Sequence, residues 1–235
     1  NFTIIIPIFN ESECIFVLLE EILGEYKGKK PEILIVNDGS EDGFKKNEKF
    51  LKKKKIKIFH HSKNLGKCKA METGVKNSSN DLICVMDGDG QHDPEDLKRM
   101  IELAKAEDSD IVIGSRFLNE ANTASLSANR NKLSKVGISI TNLFSNVRST
   151  DPLSGLFLIR KEKFTDVQEK LYKDGFKILF DILMLSKGLQ LNEVQINFRE
   201  RLRGESKLNI STVFNLGGQM LENLSRGLIP ANFLV

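Results

Sequence analysis

The sequence predicts an α/β domain in which a mostly parallel sheet is flanked by helices. Short β-branched or apolar runs recur along the chain, and polar, turn-forming segments follow them. Stretches with helical spacing separate these runs, so that strand and helix alternate. The chain of 235 residues is 40% hydrophobic and 29% charged, which is ordinary for a globular protein with a sizeable core.

Three strands are predicted in the first part of the chain. Residues 2–9 (FTIIIPIF) are a β-branched run ending near Pro7, which favours a buried strand followed by a loop. Residues 32–37 (EILIVN) form the second strand, because the turn-forming DGSEDG follows them directly. Residues 56–60 form the third, and residues 65–76 after them have helical spacing.

The fourth predicted strand is an apolar run at residues 82–86 that stops abruptly at Asp87. The next helix is predicted over residues 93–105, with Asp93 as its N-cap and Pro94 at its first position. The remaining predicted elements are a strand over residues 110–114, a helix over residues 175–185 and a last strand over residues 190–198.

Two carboxylates follow the fourth predicted strand directly, at Asp87 and Asp89. In open α/β sheets ligands bind at this edge, and like charges held so close together favour a shared cation. We therefore interpret the segment as a divalent-metal site that holds a diphosphate. A polar turn is the alternative, but it explains only Asp93 onward. An EF-hand is excluded, because His92 and Lys98 stand where that loop needs glycine and glutamate.

Composition and motifs exclude several classes of protein. The net charge of +3 is small for a nucleic-acid-binding protein, and the lysine-rich residues 45–55 fit a solvated helix face or a contact with an anionic membrane. Cys14, Cys68 and Cys84 lack CxxC spacing, which indicates neither a disulfide framework nor a zinc site and fits a reducing cytosol. No GxGxxG follows the first strand and no GxxxxGKS/T occurs, so the usual dinucleotide and P-loop folds are excluded.

Eight motifs recur in order between residues 4 and 208: IPIFNES, VNDGSEDG, NLGKCKA, MDGDGQHDPEDL, GSRF, DPLSGLFLIRKE, GFKILFDIL and RERLRGESKL. In this order they resemble family 2 glycosyltransferases, and within them the dolichol- or polyprenol-phosphate mannose synthases. The resemblance implies a GT-A (Rossmann-like) fold over residues 1–208, a nucleotide-sugar donor, usually GDP-mannose, and a dolichyl or polyprenyl phosphate acceptor.

The resemblance also implies roles for single residues. Without it, Pro7 and Phe9 would equally fit a strand end packed into the core. The chain departs from the family at Asn37, commonly aspartate, and at Phe9, commonly tyrosine, while Cys68 replaces a frequent glycine. The implied nucleotide-sugar-binding residues are Pro7, Phe9, Glu11, Val36, Asp38, Lys67, Asp87, Gly88, Asp89 and Gln91.

Asp87, Asp89 and Gln91 match the family's site for Mg²⁺ or Mn²⁺, although Gln91 alone would equally fit a capping side chain. A bound metal is expected, because each carboxylate–phosphate pair about 4 Å apart costs roughly 4 kcal/mol at an effective dielectric near 20.

A lipid phosphate acceptor changes what the site needs. It is already anionic, so it can attack the sugar without a general base, but it needs cations to place it. In-line attack would invert the anomeric carbon and give a β-linked lipid phosphate sugar. By resemblance, the acceptor-phosphate residues are Arg116, Arg130, Arg201, Ser206 and Lys207, and the catalytic residues are Asp89, Arg201 and Lys207. The resemblance also implies that Arg201 and Lys207 lie on a mobile loop that closes over the donor phosphates.

The end of the chain is the second predicted unit, residues 209–235. One apolar stripe with few charges fits a helix in a membrane interface, while a terminal helix packed in the core remains open. We interpret the apolar IPANFLV as the start of a membrane region and expect the enzyme at the cytoplasmic face of the cell membrane. Residues 119–135 fit either a loop around the acceptor or a surface connection.

Two rival functions remain open from the sequence. One is a polyprenyl-phosphate glycosyltransferase that uses UDP-glucose or another nucleotide sugar. The other is a catalytically silent, nucleotide-binding scaffold, which Asn37 permits but the intact pair Asp87 and Asp89 argues against.

Overall fold

The computed structural model describes residues 1–28, 31–119, 137–171 and 177–200. The strands are β1 (Thr3–Ile8), β2 (Glu32–Asn37), β3 (Lys57–His60), β4 (Leu82–Val85), β5 (Ile111–Ser115), β6 (Phe157–Arg160) and β7 (Leu191–Gln195). The helices are α1 (Ser12–Glu25), α2 (Glu48–Lys53), α3 (Lys67–Asn77), α4 (Asp96–Ala106), α5 (residues 137–144), α6 (Lys161–Thr165) and α7 (Ile178–Leu185).

The seven strands form one mixed sheet in the order β3-β2-β1-β4-β6-β5-β7. Neighbours pair in parallel except β6, which runs antiparallel to both β4 and β5. The predicted α/β fold with a mostly parallel sheet is confirmed. The sequence did not reveal β6, because the short apolar run FLIR has no period that separates a strand from part of a helix.

Helices cover both faces of the sheet. Leu18 of α1 and Leu97 of α4 share one buried cluster with Ile4, and Met71 of α3 shares a second cluster with Ile5. Consecutive residues of a strand point to opposite faces, so β1 has to be apolar at almost every position.

Several predicted boundaries are off by one or two residues, and two are off by three, each of these for a local reason. Helix α4 begins at Asp96 rather than at Asp93, because the Asp93 carboxylate accepts from the Glu95 N–H (3.0 Å) and closes a separate turn ahead of the helix. Strand β7 ends at Gln195 rather than at residue 198, because the chain leaves the sheet and Phe198 forms a β-bridge with His92.

The parallel strands β1, β2, β4 and β5 end at one edge of the sheet, and the antiparallel β6 begins there, since Val85 lies opposite Phe157. The polar loops that follow these strands therefore meet at that edge. Among the helices of the described ranges, none is both long enough and apolar enough to span a bilayer. The predicted helix over 209–235 lies outside the described residues.

Candidate active site

The loops after β1 and β2 are joined by hydrogen bonds into one wall of the site. The N–H of Asn10 donates to Ser40 Oγ (2.9 Å), and the N–H of Glu41 donates back to Asn10 Oδ1 (3.0 Å). The N–H of Ser12 donates to Asp42 Oδ2 (2.7 Å). Asn10 has a left-handed backbone (φ 57°), which asparagine tolerates better than most residues. The wall is thus held by local bonds before any ligand arrives.

The predicted nucleotide-binding residues at the ends of β1 and β2 lie beside this wall, in a region that we call the nucleotide corner. Not all of them face solvent. Pro7 lies opposite Val36 in the sheet register, and Phe9 and Glu11 are half-buried in the loop just beyond. The Val36 side chain is fully buried in the cluster that α3 covers. Val36 therefore packs in the core beneath the nucleotide corner and does not face the solvent side of it.

Asp38 organises the loop that leads into α3. Its carboxylate is buried and accepts from His61 Nδ1 (2.6 Å), from the N–H of Leu65 (2.9 Å) and from the N–H of Gly66 (2.9 Å). These bonds set the start of α3, whose first residue is Lys67. The structure thus shows a positioning role for Asp38 beside the nucleotide contact that the sequence predicted.

Asn37, the departure from the family, fits its surroundings. Its Oδ1 accepts from the N–H of Ser40 (2.9 Å), and its Nδ2 lies 3.2 Å from His60 Nδ1. The other ring nitrogen of His60 contacts Glu48, which suits an N–H at that position. An aspartate at position 37 would face the bare ring nitrogen with a second acceptor, whereas the asparagine amide can donate to it.

Asp87 lies directly after β4 and is paired with Lys67, whose Nζ donates to Asp87 Oδ1. Burial alone would raise the pKa of Asp87, but the positive charges of Lys67, His92 and Lys177 together outweigh burial, and the pKa lies below its usual range. Asp89 is 6% exposed and accepts from the N–H of Gln91 (3.1 Å). Both carboxylates are close to His92. Burial lowers the pKa of His92, although the negative charges of Asp87 and Asp89 act in the opposite direction.

Two glycines allow the chain to pack closely around this pair. A Cβ on Gly88 would lie 2.7 Å from Ile8 Cγ2, so the loop passes β1 only with glycine at that position. A Cβ on Gly155 would overlap Asp87 Oδ2 and lie 3.1 Å from His92 Nε2. The Asp87 carboxylate therefore rests against the backbone of the loop before β6.

The donor set fits a metal that a substrate helps to hold. Gln91 Nε2 donates to the carbonyl of Arg199 (3.2 Å), so its Oε1 is the amide atom left to bind a cation beside Asp87 and Asp89. In the described ranges no group of three or more His, Cys, Asp or Glu residues could hold a metal. Two carboxylates and a neutral oxygen, completed by phosphate oxygens and water, are typical of Mg²⁺ sites that bind phosphate substrates.

The chain after β7 docks along this loop. The N–H of Arg199 donates to the backbone carbonyl of Gln91 (2.9 Å). The Gln91 side chain donates in the opposite direction, to the Arg199 carbonyl, so two hydrogen bonds join these residues. The Arg199 guanidinium pairs with Glu21 of α1 (2.9 Å) and with Asp93 (2.5 Å). The predicted residues Arg130, Arg201, Ser206 and Lys207 lie outside the described residues. The last described segment bonds through Arg199 to the loop of residues 87–93, which we call the metal loop.

Arg116, predicted to bind the acceptor phosphate, is held by an aspartate. Its Nε and Nη2 donate to the two oxygens of the fully buried Asp151 (2.7 and 2.8 Å), and its backbone N–H adds a third bond. The guanidinium lies over the rings of Phe117 and Phe198. A phosphate would have to use the donors of Arg116 that Asp151 does not take.

Three residues of the site were not predicted from the sequence: His92, Asp151 and Lys177. Asp151 and Lys177 stand inside two of the recurring motifs, DPLSGLFLIRKE and GFKILFDIL, but neither motif by itself indicates a role for these residues. Lys177 Nζ donates to the carbonyl of Leu153 (3.3 Å). Burial, together with the charges of Arg116 and Lys67, lowers the pKa of Lys177 to about 8.

A cavity of about 760 Å³ opens at the opposite edge of the sheet, where the strands begin. The cavity is lined by the apolar residues Phe2, Tyr26 and Ile56 and by Lys98 and Lys105. The carboxylate pair and the cations described above all lie at the other edge, where the parallel strands end. We therefore place the active site there.

Known proteins resemble this chain in sequence. The model of the family described as Glycosyl transferase family 2 matches residues 3–168. A protein from Pyrococcus furiosus named dolichol-phosphate mannosyltransferase is 36% identical over 215 residues, which cover 90% of this chain. The chain spans 60% of the length of that relative. A protein of the same name from Mycosarcoma maydis is 25% identical over 99% of this chain and 83% of its own length.

The fold also matches solved structures. Glucosyl-3-phosphoglycerate synthase from Mycobacterium tuberculosis, solved with Mn²⁺, UDP and glucosyl-3-phosphoglycerate, superimposes with a TM-score of 0.65 at 19% identity. The match covers 98% of this chain and 81% of that one. At this identity the likeness shows a shared GT-A-like fold.

Proposed function

This chain belongs to glycosyl transferase family 2, and from that premise we propose that it transfers mannose from GDP-mannose to dolichyl or polyprenyl phosphate. Transfer proceeds with inversion and gives a lipid phosphate β-mannose. One observation carries the proposal: Asp87 and Asp89 lie at the end of β4, between the loops of β1 and β2 and the Arg116 cation. The names of the two relatives support the choice of sugar and acceptor.

The residues on the donor side hold the nucleotide sugar. Asp87, Asp89 and Gln91 would bind Mg²⁺ or Mn²⁺, which supplies charge neutralisation for the leaving diphosphate. Lys67 pairs with Asp87 and stands on α3 next to the nucleotide corner, within reach of a phosphate oxygen. Asp38 keeps that helix start in place.

On the other side, the site suits an acceptor that arrives as an anion. Arg116 is fixed by the buried Asp151 and cannot swing away, so it offers a cation of defined position. A lipid phosphate needs no proton removed before it attacks the anomeric carbon. We expect a long-chain lipid to bring the enzyme to the cytoplasmic face of the cell membrane.

The experiment that tests this function is a donor panel. Labelled GDP-mannose, UDP-glucose and UDP-N-acetylglucosamine are each incubated with the protein, Mn²⁺ and polyprenyl phosphate, and the label that enters organic solvent is counted. We expect label from GDP-mannose and its loss with EDTA. UDP-glucose is the second candidate donor, because the superimposed structure contains UDP and Mn²⁺; label from UDP-glucose alone would replace the proposed sugar.

A matched pair of variants tests the site. Asp89→Ala removes one of two carboxylates, and we expect turnover to fall at least about 100-fold while the circular dichroism spectrum is unchanged. Asp166→Ala changes an exposed aspartate after α6, at the other edge of the sheet, and should keep full activity. Near-normal turnover by Asp89→Ala would exclude the metal-site role of Asp89, whereas no turnover by the wild type with any donor would favour the silent scaffold.

A further inference from the structure

Glu193 lies in the middle of β7, and its carboxylate binds the loop between α5 and β6 that contains the DPLSG motif. Its Oε1 accepts from Ser149 Oγ (2.7 Å) and from the N–H of Thr150 (2.9 Å). Its Oε2 accepts from Thr150 Oγ1 (3.0 Å). Hydrogen bonds to a carboxylate are stronger than those between neutral groups. Strand β7 thus anchors the two residues that precede Asp151.

A first chain of hydrogen bonds runs from Glu193 to the Arg116 side chain. Because the Ser149 hydroxyl donates its proton to Glu193, its oxygen is left to accept, and it accepts from the N–H of Asp151 (3.0 Å). The fully buried Asp151 carboxylate accepts from Arg116 Nε (2.7 Å) and Nη2 (2.8 Å). The position of the guanidinium is therefore linked to Glu193 through Ser149 and Asp151.

A second chain reaches the backbone on both sides of Arg116. Thr150 Oγ1 gives its proton to Glu193 and lies 2.6 Å from Ser115 Oγ, so the Ser115 hydroxyl donates to Thr150. Ser115 Oγ in turn accepts from the N–H of Phe117 (3.1 Å). Glu193 thus holds the guanidinium through its partner and the backbone through its neighbours.

This network is largely shielded from water. Ser115 and Asp151 are fully buried, and Ser149 is 5% exposed. Each of the three hydroxyl groups donates toward Glu193, a direction that a carboxylate imposes because it only accepts. An apolar side chain at position 193 would leave the Ser149 hydroxyl, the Thr150 hydroxyl and the Thr150 N–H without their acceptor. Unpaired buried groups are costly, so we expect the loop to shift until they find other partners.

We propose that Glu193 is a positioning residue for the acceptor site and holds Arg116 where the guanidinium meets the phosphate of the acceptor lipid. This inference rests on the proposed function, in which Arg116 offers a cation to that phosphate. Glu193 acts through Asp151 and Ser115 rather than by contact with the substrate. Asp38 on the donor side follows β2, which β1 and β4 separate from β5 and β7. The loss of Glu193 should therefore fall on the acceptor and spare the donor.

The rival role is structural only: Glu193 would fasten the loop to β7 and affect stability without affecting binding. Affinities for defined probes separate the two roles. Phytanyl phosphate in detergent micelles is the acceptor probe, phytanol is its neutral counterpart, and GDP with Mn²⁺ is the donor probe. Each is titrated into the wild-type protein and into Glu193→Met and Glu193→Gln.

We expect Glu193→Met to weaken phytanyl phosphate binding about tenfold, the order of effect seen when a supporting partner of a binding group is lost. Its affinities for phytanol and for GDP with Mn²⁺ should stay within about twofold. Glu193→Gln should recover most of the affinity, because the amide oxygen can still accept from Ser149 and from the Thr150 N–H, while the amide nitrogen can donate to the Thr150 hydroxyl.

Glu32→Met is the matched control. Glu32 also accepts hydrogen bonds from three residues, but at the opposite edge of the sheet. Its replacement should lower the free energy of unfolding and leave the affinities for all three probes unchanged. Loss of phytanyl phosphate affinity in Glu193→Met but not in Glu32→Met supports the positioning role.

A double-variant cycle tests whether Glu193 acts through Arg116. Arg116→Gln should weaken phytanyl phosphate binding, and Glu193→Met should add no more than about twofold in that background, because the group it positions is already gone. Fully additive losses would show that Glu193 affects the acceptor by another route and would overturn the proposal.

The other outcomes are also distinct. If Glu193→Met is less stable but binds phytanyl phosphate as tightly as the wild type, the positioning role is wrong and the proposed function stands. If the wild type does not prefer phytanyl phosphate to phytanol, the acceptor class is wrong, and the role of Glu193 is overturned with it. Should Glu193→Met not fold, Ser149→Ala removes only the link to the Asp151 N–H; we expect about threefold weaker phytanyl phosphate binding, and unchanged binding overturns the proposal.

Discussion

At the scale of single residues, Gly155 decides where the Asp87 carboxylate can lie. A Cβ at position 155 would overlap the Asp87 carboxylate, at 2.0 Å from Oδ2 and 2.6 Å from Cγ, and would crowd His92 Nε2 at 3.1 Å. Asp87 would then rotate away from Asp89. The residue with no side chain is thus as necessary to the carboxylate pair as the carboxylates themselves.

We predict that Gly155→Ala weakens binding of GDP with Mn²⁺ about tenfold or more while the protein stays folded. The reason is that Asp87 is displaced. Isothermal titration calorimetry measures the resulting loss of affinity. Gly137→Ala is the control, because the added Cβ would meet only Leu153 Cδ1 at an ordinary 3.5 Å. Equal affinities of Gly155→Ala and the wild type would show that Asp87 is not needed where it lies.

At the scale of elements, the segment after β7 is fastened to the metal loop by main-chain and side-chain bonds. Gln91 and Arg199 exchange two hydrogen bonds, and Phe198 pairs with His92. The Arg199 guanidinium then ties both segments to Glu21 of α1. The orientation of the Gln91 amide, and with it the oxygen available to a metal, depends on this docking.

We predict that Arg199→Met lowers the affinity for Mn²⁺ and GDP about threefold to tenfold, because the Arg199 carbonyl no longer holds the Gln91 amide firmly. The free energy of unfolding should fall by only about 1 kcal/mol, since the ion pairs are partly exposed. Arg148→Met, at an exposed arginine, should change neither quantity. A large loss of stability without loss of affinity would contradict a role in orienting Gln91.

At the scale of the whole molecule, the two edges of the sheet have different roles: one carries the candidate active site, and the other stabilises the strand pairing. The edge where the parallel strands end collects loops, charges and the metal-site carboxylates. The opposite edge is tied together by Glu32, which accepts from Thr3 of β1 (2.6 Å), from Lys57 of β3 (2.5 Å) and from the N–H of Ser79 ahead of β4 (2.8 Å). One carboxylate therefore joins three neighbouring strands, β1, β2 and β3, and the loop ahead of β4, at the edge of the sheet opposite the active site.

We predict a pH-dependent stability effect for Glu32→Gln. Burial would raise the pKa of Glu32, but its bonds with Lys57, Ser79 and Thr3 lower it to about 2. The charged form therefore stabilises the fold above the ordinary carboxyl pKa of about 4.3, and this contribution is lost as the pH falls toward about 2.

Denaturant unfolding of wild type and Glu32→Gln should differ by on the order of 1–2 kcal/mol near pH 7, after solvent screening, and by less near pH 3. Glu162→Gln, at an exposed glutamate on α6, should show no such trend. A difference that is constant with pH would mean that shape rather than charge is what Glu32 contributes.

The metal-site carboxylates could be located from the sequence, but their partners could not. The position of Asp87 and Asp89 followed from an apolar run that stops at an acidic turn, and the structure has them at the end of β4. The roles of His92, Asp151 and Lys177 were missed, because each depends on a partner far away in the chain. Asp38 illustrates the same limit: its motif indicates a ligand contact, while its hydrogen bonds to residues 61, 65 and 66 appear only once α3 is placed.

The sequence by itself determined the alternation of strands and helices, the polar ends of the strands and the resemblance to a family, because these are properties of short segments and of their order. The tertiary structure alone decided that β6 runs antiparallel and so brings the DPLSG loop beside Asp87. It also decided that this loop holds two cations, since Asp151 pairs with Arg116 and the Leu153 carbonyl accepts from Lys177. The physical reason is that strand pairing and burial act between residues far apart in sequence, and no local pattern of residues encodes which strand becomes the neighbour of which.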